Sequence, residues 1–230
     1  VELTRKALYT ALLESLKTPE EIGGPSLTKF LRDDGSYQST TTAGNSLGWN
    51  WIKNKTASNQ ATLDFVFPAG FKEFWITYYN VKPEINDRGW NSKLSNDGGT
   101  TFIDGTDYRS AAVGVDSVEA IDNGLGTLEQ EGIQSTSRWR LVEQDQGNRG
   151  VGNDTDEGVA GSMFVKDPLN ATTRTRFTGQ AQYTSAANTE WIWTHGGAHH
   201  AIETHNAIRF LFQSGDIVLG DFSLFGLKVT

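Results

Sequence analysis

Ile208-Arg209-Phe210-Leu211-Phe212-Gln213-Ser214-Gly215-Asp216, followed by Phe222-Ser223-Leu224-Phe225, decides the fold class of this chain. Ile208, Phe210 and Phe212 alternate with Arg209, Leu211 and Gln213, and Phe222 and Leu224 alternate with Ser223 and Phe225. Side chains two apart share one face of an extended strand, so each run predicts a strand. Gly215-Asp216 between them is a turn signal.

The same period extends upstream. Leu63, Phe65 and Phe67 share a face within 61–67. Glu73 to Tyr79 carries large apolar groups on both faces, which predicts a strand covered on both sides or placed at a subunit contact. Residues 138–142, 162–165 and 174–183 are further candidates. About ten to twelve short strands with turns between them predict an antiparallel β-sandwich, jelly roll or barrel over 49–230. The 25 glycines and the 11% aromatic content favour short strands joined by tight turns over a helical fold. No repeat of roughly 20–50 residues is present, which argues against a propeller or solenoid.

The front of the chain reads differently. Leu3, Ala7, Leu8, Ala11, Leu12 and Leu16 recur at helical spacing and predict an amphipathic helix over 3–17. Such a helix is marginal alone and needs a partner surface. It either packs on its own domain or serves as a docking or trimerising arm anchored by Leu3, Leu8, Leu12 and Leu16. Thr18-Pro19-Glu20-Glu21 has the residues of a second helix start, and Gly23-Gly24-Pro25 ends it. The expected organisation is a helical attachment or oligomerisation arm at 1–25, a linker at 26–48 and a β-sandwich domain at 49–230.

Composition narrows the function classes. A chain of 230 residues buries a core without staples, and the absence of cysteine removes disulfides, thiolate metal sites and a cysteine nucleophile. The net charge of −8 opposes a phosphate backbone, so no nucleic-acid partner is expected. Apolar stretches are too short to span a bilayer, and Val1 to Lys6 is not followed by an apolar run, so neither membrane insertion nor a signal peptide is expected.

Three blocks together carry a resemblance. Leu27-Thr28-Lys29-Phe30-Leu31-Arg32-Asp33-Asp34-Gly35-Ser36-Tyr37 resembles the linker before the distal domain of bacteriophage tail proteins. Phe74-Trp75-Ile76-Thr77-Tyr78-Tyr79-Asn80-Val81-Lys82-Pro83, then Leu94-Ser95-Asn96-Asp97-Gly98-Gly99-Thr100-Thr101-Phe102 and Asp107-Tyr108, resembles a β-sandwich domain of phage structural proteins. Ile208 to Ile217 with Gly220 to Lys228 is similar to the closing hairpin of that group. The resemblance implies a lectin-like jelly roll on a virion, often homotrimeric, in a tail fibre or spike that attaches to a host-surface glycan. It carries over no catalytic residue, because the matched blocks are framework. The helical arm is not part of the pattern, and the chain is short for a fibre, which leaves a capsid head decoration protein as the alternative. Assembly in the host cytoplasm into the particle surface, with other virion proteins held through the arm, is the expectation that follows.

The remaining polar and aromatic residues hold the candidate sites. All four histidines, His195, His199, His200 and His205, fall in one run, and Glu203 offers an oxygen beside them. Imidazole is the commonest transition-metal ligand, yet Gly196-Gly197 reads as a turn, where histidines are often only solvated. Asp97, Asp104 and Asp107 suit calcium or plain turn chemistry. Residues 143–160, with Asp154, Asp156 and Glu157, read as an exposed acidic loop and a binding candidate. Trp49, Trp51, Trp90, Trp139, Trp191 and Trp193 suit stacking on sugars, with Trp90, Trp191 and Trp193 as the ligand candidates; core or interface is the competing role. No Gly-x-Ser-x-Gly elbow or His-Glu-x-x-His motif is present, so an enzyme is not expected; a glycan-cleaving tip is the third reading.

Overall fold

The computed structural model describes residues 29–31, 37–39, 48–117, 128–142 and 148–228. These form β1 (Lys29–Leu31), β2 (Tyr37–Ser39), β3 (Gly48–Gln60), β4 (Leu63–Val66), β5 (Glu73–Pro83), β6 (Trp90–Ser95) and β7 (Tyr108–Asp116). They continue with β8 (Leu128–Thr136), β9 (Trp139–Arg140), β10 (Gly158–Lys166), β11 (Arg176–Thr184), β12 (Glu190–His199), β13 (Ala207–Phe212) and β14 (Ile217–Lys228). The protein is mainly β, and every strand pairing among the described residues is antiparallel.

The chain divides into two compact units between Ser46 and Leu47, where the sequence suggested a boundary at 48/49. In the first unit β1 and β2 pair with Phe30 opposite Gln38, so a hairpin occupies part of the expected linker. The expected helical arm, with Leu3, Leu8, Leu12 and Leu16, lies outside the described residues.

The second unit holds an eight-stranded sheet, ordered β3-β14-β5-β10-β11-β12-β7-β8, and a four-stranded sheet, β4-β13-β6-β9. The two face each other across one core. Tyr78 meets Trp90 at 6.0 Å between ring centres, Phe222 meets Phe210 at 5.7 Å, and Phe177 meets Trp139 at 4.4 Å. Each pair joins one sheet to the other. A buried aromatic side chain removes roughly 150–250 Å² from water, about 4–6 kcal/mol before chain entropy opposes it.

Strand β5 alternates, but only one of its two apolar faces is packed against the other sheet, and Tyr79 on the other face is exposed. Phe74, Ile76 and Tyr78 are buried, while Trp75, Thr77 and Tyr79 point the other way. In β14, Phe222, Leu224 and Gly226 face the core and Ser223, Phe225 and Leu227 face out. Gly215 adopts φ +76 in the turn before β14, a left-handed conformation that glycine enters without a Cβ penalty.

Two sequence expectations are corrected. Gly196-Gly197 is not a turn; both glycines lie inside β12, opposite Thr178 and Phe177 of β11. A Cβ on Gly197 would sit 2.0 Å from the Arg109 carbonyl and 2.6 Å from the Phe177 ring. Glycine is there because neighbouring groups approach too closely for a side chain. The stretch 143–160 is not uniformly exposed either. Val151 and Glu157 are buried, Val151 bridges Arg88 and Ser185, and Gly158 begins β10.

Candidate functional site

Antiparallel register links one residue on each strand of the large sheet into a single rung. Trp51 lies opposite Phe225, and Phe225 opposite Trp75. Phe164 follows, then Thr178, Gly196, Ala111 and Gly132. By the pleat, all eight point away from the core. The rung therefore tapers from four aromatic rings to a floor of threonine, alanine and glycine. Thr178, Gly196, Ala111 and Gly132, joined by Thr194 and Gln130, line a shallow trough beside the aromatic row.

The rings of the row support each other. Trp75 stacks on Phe225 at 5.1 Å and on Phe164 at 5.8 Å, the latter within 10° of parallel. Trp49 comes from the edge strand and lies across them, at 68° to Trp75 and 58° to Phe164. It remains 42% exposed, and Trp51 62%, with the Trp51 indole N–H donating to Asn54 Oδ1 at 2.9 Å. An aromatic surface next to hydroxyl and amide groups offers what a sugar ring needs: a flat apolar face and hydrogen-bonding partners.

The tryptophans singled out from sequence sit elsewhere. Trp90, Trp191 and Trp193 are buried core residues, which corrects their assignment as ligand candidates. Trp193 fills the space left by Gly114, where a Cβ would lie 2.6 Å from its ring, and donates its N–H to the Tyr183 hydroxyl at 2.8 Å. Asp154 and Asp156 are exposed on the loop before β10. The Asp154 N–H donates to Glu157 Oε2 at 2.6 Å, and its carbonyl accepts from Lys82 Nζ. This is a tied loop, away from the rung. Asp97 behaves as a turn residue: Thr101 N–H and Oγ1 and Ser95 Oγ all donate to it, and they hold its carboxyl down to about 2. Lys93 pairs with Asp104.

The histidine run separates into distinct environments. His195, on β12, faces the core, 5.6 Å from the Phe177 ring, and burial pushes its imidazole down to about 4. His200 is half-buried, and its carbonyl accepts from Arg174 Nε at 3.1 Å. His199 ends β12, the chain reverses, and His205 precedes β13. Their rings meet edge-to-face at 4.6 Å, and neither is exposed. Glu203, between them in sequence, places Oε1 3.4 Å from His205 Nε2 and 3.8 Å from His199 Nδ1. Burial holds both imidazoles below the ordinary histidine value, and each disfavours the charged form of the other, so they are neutral near pH 7. The sequence pointed to this run, but only the reversal at 200–206 shows which members converge. The aromatic rung needed strand register, which sequence does not supply.

No protein-family model matches the chain, and no curated protein matches it.

Proposed function

We propose that this chain is a bacteriophage virion structural protein of the tail-fibre, receptor-binding type, displaying a lectin-like β-sandwich. The observation that carries the reading is the outward rung of the eight-stranded sheet, with its aromatic row and adjoining trough. Buried aromatic rings belong in a core, but a row of them on an outer face is a feature of recognition surfaces. The resemblance of the framework blocks to phage structural proteins supplies the particle. The reading treats the protein as a binder rather than an enzyme, and host-surface glycan as the ligand. Weak contacts are multiplied across the copies of a homotrimer joined through the N-terminal arm.

The test is binding of the purified full chain to a panel of host-surface polysaccharides, together with imaging of the particle. Retention on a glycan that Trp49→Ala and Trp51→Ala variants lose, with density on the tail, supports the reading. Density on the head with no glycan retention replaces it with a decoration protein. Glycan turnover replaces it with a tip enzyme. Solution mass of the full chain against a chain beginning at Ser26 tests the arm; a monomer in both cases removes the trimer.

A further inference from the structure

We propose that His199, Glu203 and His205 form a binding site for a divalent transition-metal ion of the zinc type, clamping the 200–206 reversal onto the end of β12. The inference is independent of the receptor-binding reading. Its basis is geometric. One ring nitrogen from each histidine and one carboxylate oxygen all lie within 4.8 Å of one another. The edge of a tetrahedron around zinc at bond lengths of about 2.0–2.1 Å is about 3.3 Å. The two glutamate–histidine separations, 3.4 and 3.8 Å, are close to that; the third edge, between the two ring nitrogens, is the one that shortens on binding, by rotation of the His199 ring.

The supporting groups favour coordination over a plain polar contact. Thr175 Oγ1 lies 2.7 Å from His205 Nδ1 and fixes the ring so that Nε2 faces the glutamate. Asn96 Nδ2 donates to Glu203 Oε2 at 3.2 Å, leaving Oε1 for the histidines. This division, in which an outer partner orients the ligand and the other atom faces the ion, is typical of metal centres. The backbone is also pinned: His199 N–H donates to the Thr175 carbonyl at 2.9 Å, and His205 N–H to the Pro168 carbonyl at 2.6 Å.

Against this ordered frame, the ring nitrogens of His199 and Nε2 of His205 are buried with no well-formed hydrogen bond, although the Ala201 backbone and Glu203 lie near the His199 ring and Glu203 near His205 Nε2. Leaving buried polar atoms unpaired is costly, and a metal ion satisfies a lone pair on each ring at once. Two imidazoles and one carboxylate select zinc, cobalt or iron over calcium or magnesium, which take oxygen donors. Glu203 is one-third exposed, so the cluster meets solvent on the glutamate's side.

The full chain, stripped with a chelator, is titrated with Zn²⁺ by calorimetry and with Co²⁺ by visible absorption. One equivalent of each is expected, with the intense ligand-field bands of a four-coordinate site and a raised melting temperature. Mg²⁺ produces neither. Because His205→Ala removes a buried ring and can unfold the chain, Glu203→Gln is the principal variant; its side chain reaches solvent. It lowers Zn²⁺ affinity at least tenfold while leaving the melting temperature of the metal-free protein unchanged. Asn96→Ala, which acts through Glu203, lowers affinity by roughly tenfold. Absence of stoichiometric Zn²⁺ uptake, or equal uptake by Glu203→Gln, overturns the proposal.

Discussion

Trp49 and Trp51, and Trp191 and Trp193, are pairs with the same spacing in the same sheet, yet they have opposite surroundings. Trp191 and Trp193 lie on an interior strand, stacked 5.9 Å apart and 2% and 1% exposed. Trp49 and Trp51 lie on an edge strand and face outward. Spacing fixes that the two members of a pair share a face; it does not say which face. The difference lies in what stands opposite. Gly114 and the Tyr183 hydroxyl make an indole-shaped space for Trp193, while Phe225 across from Trp51 belongs to the outward row.

The contrast can be broken most severely from the inside. Trp193→Ala removes a fully buried ring and its hydrogen bond, and is expected to destabilise the fold by about 3–5 kcal/mol in denaturant unfolding. A loss under about 1 kcal/mol would mean that the inner pair is no more structural than the outer one.

The next largest effect is on the same strand and the same face. His195 has an imidazole value near 4, against 6.5 when exposed. The unfolded chain therefore takes up a proton first as pH falls. Stability from this group is complete above about pH 6.5 and is lost progressively toward pH 4, by about 3 kcal/mol in all. His195→Leu should flatten that part of the stability–pH curve. If the slope is unchanged, His195 is not kept neutral by the core.

Outward substitutions test the other half. Trp75→Ala breaks two stacked contacts of the row and should cost roughly 1–2 kcal/mol. Trp51→Ala should change stability by no more than about 0.5 kcal/mol, while abolishing the glycan retention that the proposed function requires. A large stability loss at Trp51, measured by thermal melting, would place that ring in a structural role.

Legibility in the sequence followed side-chain size. The β13–β14 hairpin and the two-faced strand β5 announced themselves because large apolar groups alternate there. Tyr108–Asp116 and Leu128–Thr136 gave no such signal. In β7 the inward Gly114 yields its space to Trp193, so bulk sits on the partner strand rather than in its own sequence. Glycine misled at 197 for the same reason, since close packing of neighbours and a turn both call for it. The histidine run was visible as a composition, but His195, His199 and His205 are all buried, and only the reversal at 200–206 brings His205 back against His199.

The rung has a consequence for change over time. On β14, β5, β10 and β11 its residues are flanked by buried ones, so outer and inner positions can be altered separately. Gly132, at the shallow end, has nothing within 4 Å of where a Cβ would sit. A side chain added there reshapes the trough floor without touching the packing beneath. The contour of the outward surface can thus drift one residue at a time on a scaffold whose stability is held elsewhere.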